Sequence, residues 1–318
     1  MLLERHDTDP NELHTDSAPI VDASTCGNSK IVRLLLERPD IILNRKTWLD
    51  KTPLMEAVGG GHTSTVKLLL SQDGISPNRV PGGDVSPLYL AVSSGLKTIV
   101  RHILAQNDID INETSLNGIT LLWEAAHCGN DAIIKLLLER PDIDPNIPLE
   151  EDKEEETLLG MQVEIIRSSI EPANNPARKR DLCGKETPLS IASQEGWETS
   201  VKLLLEHHRV DPNIVDISGR SPLWWAVYRS NINISRLLLS HRSICPNLSD
   251  IDGWTPLLVS AHRGYEFVAR HLLQHPDIDP GLALPDGRTP LMLAQQRQNE
   301  RVVRWLSEWK QGYELPDW

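Results

Sequence analysis

A tripeptide that returns at a fixed interval constrains this chain more than any other feature. Thr52-Pro53-Leu54 recurs as Ser86-Pro87-Leu88, Thr120-Leu121-Leu122, Thr187-Pro188-Leu189, Ser221-Pro222-Leu223, Thr255-Pro256-Leu257 and Thr289-Pro290-Leu291, and a weaker copy, Ala18-Pro19-Ile20, comes first. The copies start at 18, 52, 86, 120, 187, 221, 255 and 289. Every step is 34 residues except the one from 120 to 187, which is 67. A period between about 20 and 50 residues is the signature of a repeat array in which each unit packs only on its neighbours.

Each copy reads as helix, tight turn, helix and long loop. Thr or Ser ahead of Pro is a helix start, because the hydroxyl caps orphan N–H groups and Pro suits the first helical position. A small residue follows inside the first helix at Ala57, Ala91, Ala125, Ala192, Ala226 and Ala294, where it lets two helices approach. Gly27, Gly61, Gly95, Gly129, Gly196 and Gly264 then supply the left-handed conformation that ends the helix. Ser230 and Gln298 stand in that slot in two copies, which makes those turns the least well specified. The second helix carries the apolar block, as in Val66-Lys67-Leu68-Leu69-Leu70. Arg140-Pro141-Asp142-Ile143-Asp144-Pro145-Asn146 ends it, since residues before Pro avoid helical angles. Neither helix buries its apolar face alone, so the copies must stack.

This pattern resembles the ankyrin repeat, which runs roughly Asp-x-x-Gly-x-Thr-Pro-Leu-His-x-Ala-Ala-x-x-Gly-His followed by Val-x-Leu-Leu-Leu. The likeness covers most of residues 18–310 and recurs eight times. It implies an all-α fold, an ankyrin-repeat solenoid of stacked helix-turn-helix units with hairpin loops. It also implies a non-enzymatic protein–protein interaction module, a scaffold or regulator that binds on its concave face. The long Pro-Asp-Ile-Asp-Pro-Asn loop looks like a variant of fungal arrays. One departure is systematic: the His after Thr-Pro-Leu is replaced by Val21, Met55, Tyr89, Trp123, Ser190, Trp224, Leu258 and Met292. Its hydrogen bonds must be supplied by other groups, or the loops are looser than in the family.

The array divides as follows: 1–17, a partial repeat; 18–153, four repeats; 154–186, the length of an insertion lying at about 147–180; 187–310, four repeats; and 311–318, a tail. Leu3 to Asn11 copies Leu138 to Asn146, so the chain starts inside a second helix. Two readings stand, a piece of a longer array or a divergent N-terminal cap. The insertion carries Glu150-Glu151-Asp152-Lys153-Glu154-Glu155-Glu156, then Pro172, Asn174, Asn175, Pro176 and Arg178-Lys179-Arg180. We expect a largely disordered loop between hairpin strands, with room for a short helix around Leu158–Ser168. The basic trio reads as a solvated charge run, with a nuclear-import or phosphate patch as the alternative.

Composition narrows the chemistry. The chain has 318 residues, a net charge of -13, four Cys and nine Trp against one Phe. The charge opposes general nucleic-acid or membrane-surface binding. No apolar run approaches the roughly 20 residues a membrane helix needs. With no secretory signal at its start and no Cys-x-x-Cys, the chain is expected in the cytoplasm or nucleus, unsecreted, with reduced thiols and no structural metal. Helices in such a stack lie about 8–10 Å apart, so Glu56 and Glu124, two repeats apart, are too distant for a carboxylate pair. Asp22 and Glu56 are neighbours with nothing else around them. Cys26 and Cys128, three repeats apart, make no pair, and His207-His208 sits at a helix end that favours cations. Gly59-Gly60-Gly61-His62 lacks the Gly-Lys-Ser/Thr of a phosphate loop. No catalytic residue, cofactor or metal ligand is expected, and the chain is expected to be a monomer.

The binding face says more. In the slot before the turn, Arg229, Arg263 and Arg297 follow one another at steps of 34, beside Tyr228, His262 and Gln296. The position before the capping hydroxyl adds Arg220, Trp254 and Arg288. The C-terminal half therefore presents a cationic stripe with aromatic interleaving, suited to an acidic or phosphorylated segment of another protein. The acidic run at 150–156 could compete for it from within the chain. The N-terminal half is small and shallow at Thr25, Gly59, Gly60, Ser93 and Ser94, with Trp48 and Leu49 at a hairpin tip. A small-ligand or catalytic reading rests on its groove around Glu56, Trp123, Glu124 and His127. A third reading, nucleic-acid binding by the Arg stripe, is opposed by the net charge. Trp224, Trp225 and Trp305 fall in slots that face the stack, whereas Trp309, Tyr313, Pro316 and Trp318 are placed to cover the last helix.

Overall fold

The structure, a computed structural model, describes residues 9–11, 17–47, 50–78, 85–149 and 185–310. Leu3 to Thr8, the segment 150–184, Trp48, Leu49, Tyr313, Pro316 and Trp318 lie outside them. The described residues form sixteen helices, and the chain divides into two compact units, Met1–Leu116 with Thr120–Asp144, and Asn117–Ile119 with Pro145–Trp318.

The first unit holds α1 (Pro19–Thr25), α2 (Ser29–Leu36), α3 (Pro53–Gly59), α4 (Thr63–Leu70), α5 (Pro87–Ser93), α6 (Lys97–Leu104), α7 (Leu121–His127) and α8 (Asp131–Leu138). The second holds α9 (Pro188–Glu195), α10 (Glu198–Glu206), α11 (Pro222–Tyr228), α12 (Ile232–Leu239), α13 (Pro256–Arg263), α14 (Glu266–Leu273), α15 (Pro290–Gln296) and α16 (Glu300–Lys310). Within each unit, first helices pack on first helices and second on second, and each helix packs on its hairpin partner. This is the stacked helix-turn-helix arrangement that the period requires.

The capping hydroxyls act as expected. Thr52, Ser86, Thr120, Thr187, Ser221, Thr255 and Thr289 each accept the N–H of the residue three positions on, with Pro in the first turn of all but α7. Each cap is worth about 1 kcal/mol; Ala18 offers none to α1. The following Leu points inward, and Leu54, Leu88, Leu122, Leu189, Leu223 and Leu257 are almost wholly buried, as are Ala57, Ala91, Ala125, Ala192, Ala226 and Ala294. Full burial of one such Leu contributes about 2 kcal/mol. The two turns without Gly form all the same. Ser230 and Gln298 take φ of 59° and 58°, the conformation that Gly27 adopts at 65°.

An asparagine ladder ties successive hairpins. In the first unit Asn112 donates to Asp142 O at 2.8 Å and accepts from Asp144 N at 2.8 Å, and Asn11 and Asn44 make the same two-point contact one repeat on. In the second unit Asn213 and Asn247 repeat it. Asn146 reaches Arg209 O and Asp211 N, 63 and 65 residues away instead of 30 and 32. The ladder therefore steps over 33 additional residues. Leu149 pairs with Glu186 O and Lys185 N at 2.8 Å each, which joins the two ends of that segment. Where the family's His is missing, Trp224 donates its indole N–H to Trp254 O at 2.9 Å, and the Tyr89 hydroxyl lies 3.3 Å from Glu124 Oε2.

Candidate partner-binding groove

The second unit builds its groove on α11. Trp224 and Tyr228 are four residues apart, so they share a helix face, and their rings stack at 5.0 Å and 13°. Arg220, just before the cap, places its guanidinium 4.8 Å from the centre of the Trp224 ring and 5.0 Å from that of Trp225. Arg263, at the end of α13 in the next repeat, lies 4.8 Å over Tyr228. The result is a column, Arg220–Trp224–Tyr228–Arg263, with a cation at each end. Arg263, lying on the Tyr228 ring, keeps its in-plane N–H fork available for an anion.

Two buried carboxylates set the hairpins beneath this column. Asp216 accepts N–H bonds from Ser218 and Arg220 at 2.9 Å each and the Trp225 indole N–H at 3.0 Å. Asp250 accepts from Asp252 N at 3.1 Å and Trp254 N at 2.8 Å. Burial holds both carboxyls above their ordinary range despite these bonds. Trp254 meets His262 edge-on at 5.2 Å, and Arg297 Nη2 lies 3.0 Å from His262 Nε2. A guanidinium has no acceptor, so Nε2 accepts and the imidazole is neutral with its proton on Nδ1. Burial, then the charges of Arg297, Arg263 and Arg288, push the His262 pKa below its usual value.

These side chains enclose a groove of about 690 Å³. It brings together Arg220, Tyr228, Trp254, His262, Arg263 and Arg297 of the residues expected from the sequence. Arg229 and Arg288 do not line it. Arg229 is exposed at the end of α11, and Arg288 is turned aside by Asp286, whose carboxylate lies 2.6 Å from it. Trp224, Asp250, Asp252, Val259 and Asn299 also line the groove. Sequence reasoning placed Trp224 in the core. It is only 4% exposed, yet it faces the groove as well. Among the described residues, neither Arg263 nor Arg297 has a carboxylate partner, and no cation pairs with Asp252.

A family model described as ankyrin repeats (3 copies) matches residues 1–81, 80–149, 157–250 and 242–317. The chain belongs to the ankyrin repeat family. Among solved structures, an ankyrin repeat domain from Acinetobacter baumannii AYE is similar at 22% identity, with a TM-score of 0.55, covering 70% of this chain and 96% of that one. The ankyrin repeat protein EF0377 is similar at 20% identity, with a TM-score of 0.55 and the same two coverages. No curated protein matches the chain. Ankyrin repeats are in general protein–protein interaction modules, typically without catalysis. Among the described residues of this ankyrin chain, no helix is long and apolar enough to cross a membrane.

The first unit of the array brings together part of the alternative site. Trp123 and His127 stack at 5.1 Å and 24°, and Glu124 lies between the Tyr89 hydroxyl and the Cys128 thiol, with Sγ 3.8 Å from Oε1. Burial and then Glu124 push the Tyr89 hydroxyl and the Cys128 thiol above their usual pKa. Glu56 makes none of these contacts. Among the described residues no group of three His, Cys, Asp or Glu is placed to hold a metal. His207 and His208 lie ring to ring at 4.9 Å, and Cys26, Cys128 and Cys245 are free and exposed.

Proposed function

We propose that this ankyrin chain is a monomeric scaffold or regulator of the cytoplasm or nucleus. Its C-terminal unit docks an acidic or phosphorylated segment of another protein in the groove between Arg220 and Arg297. The observation that carries this reading is the pair of guanidiniums, Arg263 and Arg297, held by Tyr228 and His262 without any acidic partner among the described residues. An anion reaching them replaces water at cations whose orientation is already set, so little ordering entropy opposes binding. The aromatic walls also make the groove observable, since Trp224 and Trp254 line it.

The test is titration of the full chain with a glutamate-rich peptide, followed by Trp fluorescence. Charge reversal by Arg263→Glu and Arg297→Glu is expected to abolish the signal, while Arg229→Glu leaves it in place. Melting temperature should stay within about 2 °C, because both side chains are exposed. Equal binding by wild type and by the double reversal would refute the groove as the docking site.

A further inference from the structure

The groove carries charge of both signs, and their placement narrows the ligand beyond an acidic segment. Arg263 and Arg297 line the groove without carboxylate partners, and Asp252, exposed and without a cation among the described residues, lines the same groove with Asp250. Asp250 is occupied by two backbone N–H groups and lies in the field of Arg220, so Asp252 is the carboxylate left for a ligand. A continuous acidic run would satisfy the arginines and meet Asp252 with like charge. A single carboxylate brings one negative charge and two oxygens to the two forks. A phosphomonoester carries about -1.5 to -2 charge and three acceptor oxygens, enough for both guanidiniums at once.

Resting on the docking reading above, we propose that the groove recognises a phosphorylated Ser or Thr next to a basic residue. The phosphate is held by Arg263 and Arg297, and the basic side chain by Asp252 against the face of Trp254. His262 is a positioning residue in this arrangement. By accepting from Arg297 it aims one guanidinium, as Tyr228 carries the other. Cation–aromatic contact at Trp254 adds to the Asp252 attraction.

The experiment uses the full chain and four fluorescein-labelled peptides of one length, read by anisotropy at low salt. One has phosphoserine flanked by Arg, one has Ser in its place, one has Glu in its place, and one has phosphoserine flanked by Glu. The first is expected to bind about tenfold or more tighter than each of the others. Asp252→Asn should shrink the preference for Arg flanks over Glu flanks while leaving the preference for phosphate. The variant with Arg263→Lys and Arg297→Lys keeps both charges and loses the forks, so it should lose the preference for phosphate over Glu. Circular dichroism checks that each variant is folded. If the Glu peptide binds as well as the phosphoserine peptide, or the Glu-flanked phosphopeptide as well as the Arg-flanked one, this inference is overturned and docking of acidic segments stands. If none of the four peptides binds, the docking reading falls with it.

Discussion

Removing the buried carboxylate of Asp216 should loosen the hairpin that carries Arg220, and the loss divides into separable parts. Asp216 is 4% exposed and accepts three N–H bonds, from Ser218 N, Arg220 N and Trp225 Nε1. A hydrogen bond to a charged group contributes roughly 1.5–3 kcal/mol. Burial outweighs these bonds for the ionised form, which raises the Asp216 pKa, so the cost of removal comes from three N–H donors left without their acceptor. Asp216→Ala is therefore expected to cost about 3 kcal/mol, a fall of about 6–12 °C in Tm for a unit of this size. Asp216→Asn is the sharper probe. Its remaining oxygen can keep the two backbone N–H bonds, but its NH₂ then faces the Trp225 indole N–H, two donors with no acceptor, for about 1–2 kcal/mol.

The Trp225→Phe background decides whether that account is right. Without the indole N–H the opposed donors vanish, so Asp216→Asn should cost less there, with a coupling of about 1 kcal/mol in the double-mutant cycle. Urea unfolding of the four proteins, followed by far-UV circular dichroism, supplies the cycle. Asp252→Ala is the control, since that carboxylate is exposed, and its cost should stay below about 0.5 kcal/mol. If Asp216→Asn costs the same with and without the indole, the Nε1–Oδ2 bond contributes nothing and the reasoning fails. If Asp216→Ala costs no more than Asp252→Ala, the hairpin does not depend on its buried carboxylate.

Two further outcomes follow from turns and from titration. Ser230→Gly and Gln298→Gly should each stabilise the chain by about 1 kcal/mol, since a left-handed non-Gly residue costs roughly 1–2 kcal/mol and Gly returns part of that as chain entropy; thermal melts showing lower Tm for both would contradict the turn assignment. Gly264→Ala should go the other way, because its Cβ would fall 2.8 Å from Asn299 Oδ1 at φ 72°. Burial above all lowers the pKa of His207, His262 and His271. The unfolded chain, titrating near 6.5, therefore takes up protons first, and the contribution of these groups to stability is complete above that pH and falls as pH drops through it toward the folded pKa values. Urea midpoints at pH 7.5 and 5.5 should show the decline, and His262→Asn should reduce it; an unchanged difference would exclude His262 from the effect.

The stack was legible because its period is long, repeated and built from residues with distinct roles. Thr-Pro starts and Gly turns fix helix ends locally, and the inward Leu and Ala slots follow from helical geometry. The turns at Ser230 and Gln298 were not legible, since their left-handed geometry is imposed by the helices on either side and not by the residue itself. The site was partly legible for a reason that can be stated as a spacing. Arg263 lies over the Tyr228 ring and Arg297 hydrogen-bonds to His262 Nε2, each partner 35 residues back, so an arginine in this slot is held by the side chain that the preceding repeat offers. Arg229 has Gln194 at that distance and lies outside the groove. Arg288 follows Asp286 by two residues, a spacing that could have signalled the local ion pair that removes it. Asp250 could have been placed, since it holds the Asp of the Asp-x-x-Gly-x-Thr-Pro-Leu pattern, and Asp252 falls two residues on. If the groove docks a ligand as proposed, the exposed Asp252 carboxylate beside Arg263 and Arg297 would favour a ligand of mixed charge over a purely acidic one.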